Sequence, residues 1–210
     1  MFVETFAGIV RENITVIIMQ NITKGLIVWA AVVALILPIP LVLTLLGSGV
    51  DGEGWHWTLG DFVFMGTLMF GTGLAYELVA RKACTTVYRA AVGVALATAF
   101  LLVWVNGAVG IIGDENLANL MYFGVLAVGG IGALIARFRP HGMARALFAT
   151  ALVQALVPVI ALIVWPQISW GAAGVVGVFV LNGFFVVLFV GSAMLFRRAS
   201  ASDPDVERTA

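Results

Sequence analysis

The chain has 210 residues, 62% of them hydrophobic and only 10% charged, with 11 basic and 11 acidic residues and no net charge. Soluble domains carry about 25% charged residues, so a chain of mean hydropathy +1.10 cannot cover a water-facing surface and needs lipid as its solvent. Zero net charge gives no basis for a nucleic-acid partner, and the single cysteine, Cys84, allows neither an internal disulfide nor a cysteine metal cluster.

Residues 1–24 read as an extension. Phe2, Phe6, Ile9 and Val10 suggest a short helix lying on the membrane, but Asn13-Ile14-Thr15 and Asn21-Ile22-Thr23 interrupt it. Met19 opens a compact lead into the first span, so the upstream residues are expected to be dispensable. Apolar stretches then run over 25–46, 59–80, 89–112, 118–136, 144–165 and 172–196. Each is close to the roughly 20 residues a helix needs to cross a bilayer. Barrel strands are about ten residues of alternating polarity, which these unbroken runs are not. A helix pairs its own backbone groups inside hydrocarbon, so the expected fold is an all-α bundle of six transmembrane helices over 25–198. A polar tail, 199–210, follows. With no small-residue cleavage site after it, span one reads as an uncleaved anchor.

Orientation follows from the basic residues. Arg11 and Lys24 precede span one; Arg81, Lys82 and Arg89 lie between spans two and three; Arg137, Arg139 and Arg145 lie between four and five; Arg197, Arg198 and Arg208 follow span six. The other three loops hold no Lys or Arg but carry Asp51, Glu53, Asp114 and Glu115. The positive-inside rule therefore places both termini in the cytoplasm. Trp55, Trp57, Trp165 and Trp170 sit at the opposite ends of the spans, where indole rings favour headgroups. Each even-numbered span leaves at a basic pair, a faint hairpin repeat of the kind found in transporters.

Ionisable groups inside spans are costly, which makes each one present a candidate functional residue. Asp61 sits in Thr58-Leu59-Gly60-Asp61, which has the spacing of a capping box. Glu77 precedes Arg81 by four, the favourable order for a helical ion pair. These two carboxylates are sixteen positions apart, roughly 24 Å along a helix, too far for an acid–base pair. His56 and His141 lie in loops on opposite sides and share no ligand set. No metal, haem or nucleotide cofactor is expected. The glycines of spans three and four, among them Gly107, Gly110, Gly124, Gly129, Gly130 and Gly132, read as close helix contacts.

Neutral polar side chains are the better candidates for a binding site. Counted from the outer ends of their spans, Asn106, Asn182 and Gln154 lie at depths of roughly 10, 15 and 16 Å. A carboxamide layer from three helices is the expectation, with Trp104 as an outlying member. Trp104-Val105-Asn106-Gly107, with Leu59-Gly60-Asp61-Phe62, Tyr76-Glu77-Leu78, Ala136-Arg137-Phe138 and Gly142-Met143-Ala144-Arg145-Ala146-Leu147, resembles a family of small six-pass bacterial inner-membrane proteins of unknown function. The resemblance covers roughly residues 25–198. It implies the bacterial inner membrane and no activity.

Two functions compete. One is a non-enzymatic membrane module acting through helix–helix contacts, with membrane lipids and a second copy or another membrane protein as partners. The other is a small-solute or ion permease using the mid-membrane polar layer, with Asn106, Gln154, Asn182, Trp104, Asp61 and Glu77 as its binding residues. A lipid-acting enzyme has least support, because no nucleophile or paired carboxylates gather near one interface.

Overall fold

The computed structural model describes residues 23–46, 57–80, 85–113 and 116–201. The extension before Thr23, the inter-helix residues Asp51, Glu53, Trp55, His56, Asp114 and Glu115, and Arg81, Lys82, Cys84 and Arg208 lie outside these. Among the described residues every regular element is helical, and six helices are long and apolar enough to cross a membrane. We number them α1 (Thr23–Leu46), α2 (Leu59–Ala80), α3 (Thr86–Val109), α4 (Met121–Ile135, led in by a 3-10 turn at Leu117–Leu120), α5 (Pro140–Val164) and α6 (Gly174–Ala201). The chain divides into two compact units, residues 1–78 and 79–210.

In the first unit, α1 and α2 form an antiparallel pair. Pro38 and Pro40 lack the N–H that the carbonyls of Ala34 and Ile36 would otherwise receive, and the helix is interrupted by a turn at Leu37. Past the prolines, the Thr44 hydroxyl donates to the Pro40 carbonyl at 2.8 Å and accepts from the Trp57 N–H at 3.3 Å, tying the end of α1 to the residues that lead into α2. Farther along the pair, the Trp29 ring lies so close over Gly73 that a Cβ there would overlap it. Trp29 also meets Tyr76 edge-on at 6.5 Å.

The second unit is a four-helix bundle. α6 packs against both α5 and α3, and α4 packs against α5, with a lighter contact between α3 and α4. The main seam has a strict heptad spacing. Met143, Leu147, Thr150, Gln154, Val157 and Ala161 are buried on α5, and Val178, Asn182, Phe185, Phe189, Ser192, Phe196 and Ala199 on α6. Steps of four and three alternate along both helices, the period of knobs-into-holes packing. Small residues bring α3 close to α6: Ala91 is fully buried, and the Ser192 hydroxyl donates to its carbonyl at 2.7 Å.

Helix ends depart from the hydropathy limits for local reasons. α3 begins at Thr86 because the Thr85 side chain accepts from the Tyr88 N–H, and it stops at Val109 because Gly110 turns to φ 60°. α5 starts at Pro140, a residue suited to the first helical turn, which draws Arg145 into the helix. α6 runs on to Ala201, beyond Arg197 and Arg198. The connection from α4 to α5 is a tight turn in which Arg137 and Phe138 take φ of 49° and 59°. A side chain in that region costs on the order of 1 kcal/mol or more. The turn is closed by Phe138 N–H donating to Ala133 O and Arg137 N–H to Leu134 O. It is also held from outside, by the Tyr88 phenol donating to the Phe138 carbonyl at 2.6 Å.

Candidate functional site

Two of the three expected carboxamides meet. Gln154 of α5 donates from Nε2 to Asn182 Oδ1 at 2.8 Å. Asn182 of α6 donates from Nδ2 to its own helix's Val178 carbonyl at 2.8 Å and to the Tyr122 oxygen at 3.0 Å. The Tyr122 hydroxyl, from the start of α4, donates to Asn182 Oδ1 at 3.3 Å. Gln154 is 0% exposed, and Asn182 and Tyr122 are each 1% exposed. Three helices thus contribute to one polar cluster inside an otherwise apolar bundle.

The orientation of the cluster follows from one group that can only accept. A carbonyl cannot donate, so Val178 O requires the nitrogen of Asn182 on its side and leaves Oδ1 facing Gln154. Gln154 must then present its nitrogen, and its Oε1 points elsewhere. That oxygen is buried and has no partner among the described residues. The same residue carries a second deprived acceptor. Pro158 sits four residues on, inside α5, and proline has no N–H for the Gln154 backbone carbonyl. Two acceptors without their ordinary donors therefore occur at one buried position.

Asn106 does not join this cluster. Its Nδ2 donates to the backbone carbonyl of Asn119 at 3.3 Å, and its Oδ1 is buried without a partner among the described residues. Asn119 organises the loop after α3: its Oδ1 accepts from the Ile112 N–H and its Nδ2 donates to the Gly113 carbonyl, both at 2.8 Å. Asn106 thus belongs to the end of the bundle, one helix turn from where α3 stops. Trp104 is 40% exposed and packs beside Phe100 at 5.9 Å.

Asp61 is placed as its spacing predicts. Its carboxylate accepts from the Thr58 N–H at 2.7 Å and the Thr58 hydroxyl at 2.8 Å. Trp57 and Phe62, flanking this box, meet edge-on at 5.2 Å, which is the hydrophobic staple that often accompanies it. Glu77 lies against α1, where a Cβ added to Gly25 would come within 2.7 Å of both carboxylate oxygens. Its expected partner Arg81 lies outside the described residues.

Tyr122 and Asn119 were not singled out in the sequence. A tyrosine in the first turn of a span has the look of an interfacial anchor, and only the rotation of α4 turns it inward. Compared with protein-family profiles, curated proteins and solved structures, the chain matches none.

Proposed function

We propose that this is a multi-pass protein of the bacterial inner membrane, with both termini cytoplasmic, acting without chemistry of its own through helix–helix contacts. The observation that carries this reading is how α4 uses its glycines. Gly129 and Gly132 face α5, where added Cβ atoms would lie 3.1 Å from Thr150 Oγ1 and 2.7 Å from Ala146 Cβ. Gly124 and Gly130 face outward with open space around them, and Ala127 between them is also exposed. Glycine in a helix interior costs about 1 kcal/mol relative to alanine, and nothing within the four-helix unit uses these two. Small residues on an exposed face of a membrane helix let a second helix backbone approach closely.

A photo-crosslinking amino acid at Ala127 tests this in native membranes. A protein adduct is expected, and it should disappear when Gly124 and Gly130 are both changed to leucine. Lipid adducts alone would overturn the reading.

A second reading, a permease for a small solute or ion, is favoured by Gln154. Its orphan Oε1 and its proline-deprived carbonyl are what a solute bearing N–H or O–H donors, or a desolvated cation, would bind. Gln154→Met removes the side-chain acceptor at similar volume. Loss of uptake in proteoliposomes with an unchanged melting temperature would favour this reading over the first.

A further inference from the structure

Tyr88 joins three elements at one end of the second unit. Its phenol holds the Phe138 carbonyl, and its ring meets Phe196 edge-on at 5.0 Å. Every one of these residues has an arginine beside it in sequence: Arg89 after Tyr88, Arg137 and Arg139 around Phe138, Arg197 after Phe196. All four arginines are exposed, as is Arg145 on α5. The described residues of this unit include no aspartate or glutamate. Positive charge drawn from three elements is thus collected at one end of the bundle with no carboxylate among those residues to answer it.

We propose that this end binds the anionic headgroups of membrane phospholipids, with the Arg137-Phe138-Arg139 turn as the centre of the site. A guanidinium presents a planar fork that fits phosphate oxygens two at a time. The turn displays two of them on either side of a residue whose backbone is fixed from the bundle interior. Its left-handed conformation at Arg137 and Phe138, where glycine would fit without strain, keeps arginine in place at an energetic cost.

The surroundings fit a lipid and not a free anion. Ile135, just before the turn, is 79% exposed. On α5, Arg145 heads a face that continues through Ala149, Leu152 and Leu156, all exposed. Charge and apolar surface follow each other along the helix axis as headgroup and acyl chain do along the bilayer normal.

Native mass spectrometry of the full chain, released from detergent with defined lipids, tests the proposal. Dioleoylphosphatidylglycerol should stay bound at energies that strip dioleoylphosphatidylcholine. An arginine near an anionic surface contributes about a fivefold preference. Arg137→Gln and Arg139→Gln should each weaken phosphatidylglycerol retention by about that factor, leaving the melting temperature in phosphatidylcholine unchanged. Equal retention of the two lipids, or an undiminished preference in the double variant, would overturn the proposal. So would full displacement of phosphatidylglycerol by inorganic phosphate, which would assign the site to a soluble anion.

Discussion

Asn182 occupies a heptad position that a leucine would fill without difficulty. It is there at a cost, since the same seam packed throughout with apolar side chains leaves no donor or acceptor to satisfy. Buried asparagine at such positions is best attested as a device for fixing register. Here it ties α6 to Gln154 on α5 and Tyr122 on α4 at one level. Sliding either helix by one heptad would separate all three groups. Removing Asn182 leaves Gln154 Nε2 and the Tyr122 hydroxyl without their partner, so Asn182→Leu should destabilise the bundle by about 2 kcal/mol. Tyr122→Phe removes one hydroxyl and should cost less than about 1 kcal/mol, the range of interhelical bonds measured in membranes. Unfolding of both variants and their double combination, in mixed micelles titrated with a denaturing detergent, measures the coupling. Additive effects would show that the two side chains do not act together. Depth alone was legible for these residues: counting from the span ends placed Gln154 and Asn182 at one level. Asn106 lay near that level in the count but faces the loop, because the count carries no information on which way a side chain points.

Rotation of the helices is what hydropathy does not supply. In a soluble helix the polar face marks the outside. In α4 both faces are apolar, and the two kinds of glycine look the same in sequence. Their neighbours distinguish them. Gly132 approaches Ala146 so closely that a methyl group would displace α5, whereas Gly130 has open space. Gly132→Ala should therefore destabilise by about 1–3 kcal/mol through overpacking. In a detergent that keeps the chain monomeric, with no partner helix against this face, Gly130→Ala should stabilise by up to about 1 kcal/mol through helix propensity. Thermal unfolding of the two variants in the same detergent checks the sign of each, and a shared sign would contradict the assigned rotation of α4. The helix limits were more legible. Spans predicted over 59–80 and 118–136 closely match α2 and the stretch Leu117–Ile135. The largest differences lie at the basic ends, where Pro140 starts α5 early and α6 continues through Arg197 and Arg198. Hydropathy ends a span at the first charge, but a helix has no reason to end there when its arginines can reach headgroups along their own stems.

At the scale of the whole chain, charge makes the strongest demand. The Tyr88 contacts with Phe138 and Phe196 show that Arg89, Arg137, Arg139 and Arg197 stand at the same end of the four-helix unit. The antiparallel course of α3 to α6 makes that arrangement unavoidable once each basic residue sits at its own place in the chain. Translocating such an end would expose several guanidiniums to the hydrocarbon, each costing about 2.5–3.5 kcal/mol at the bilayer centre. The proposed topology keeps this end in the cytoplasm and so avoids that cost, and an even number of spans would then put both termini on that side. In a Cys84→Ser background, Gly52→Cys lies between the first two spans and Ser200→Cys near the end of α6. Gly52→Cys should react with a membrane-impermeant maleimide added to intact cells. Ser200→Cys should react only after the membrane is opened. Labelling of both from outside would break the six-span count. The reverse pattern would keep the count and invert the protein, placing its arginines on the side where the positive-inside rule does not allow them.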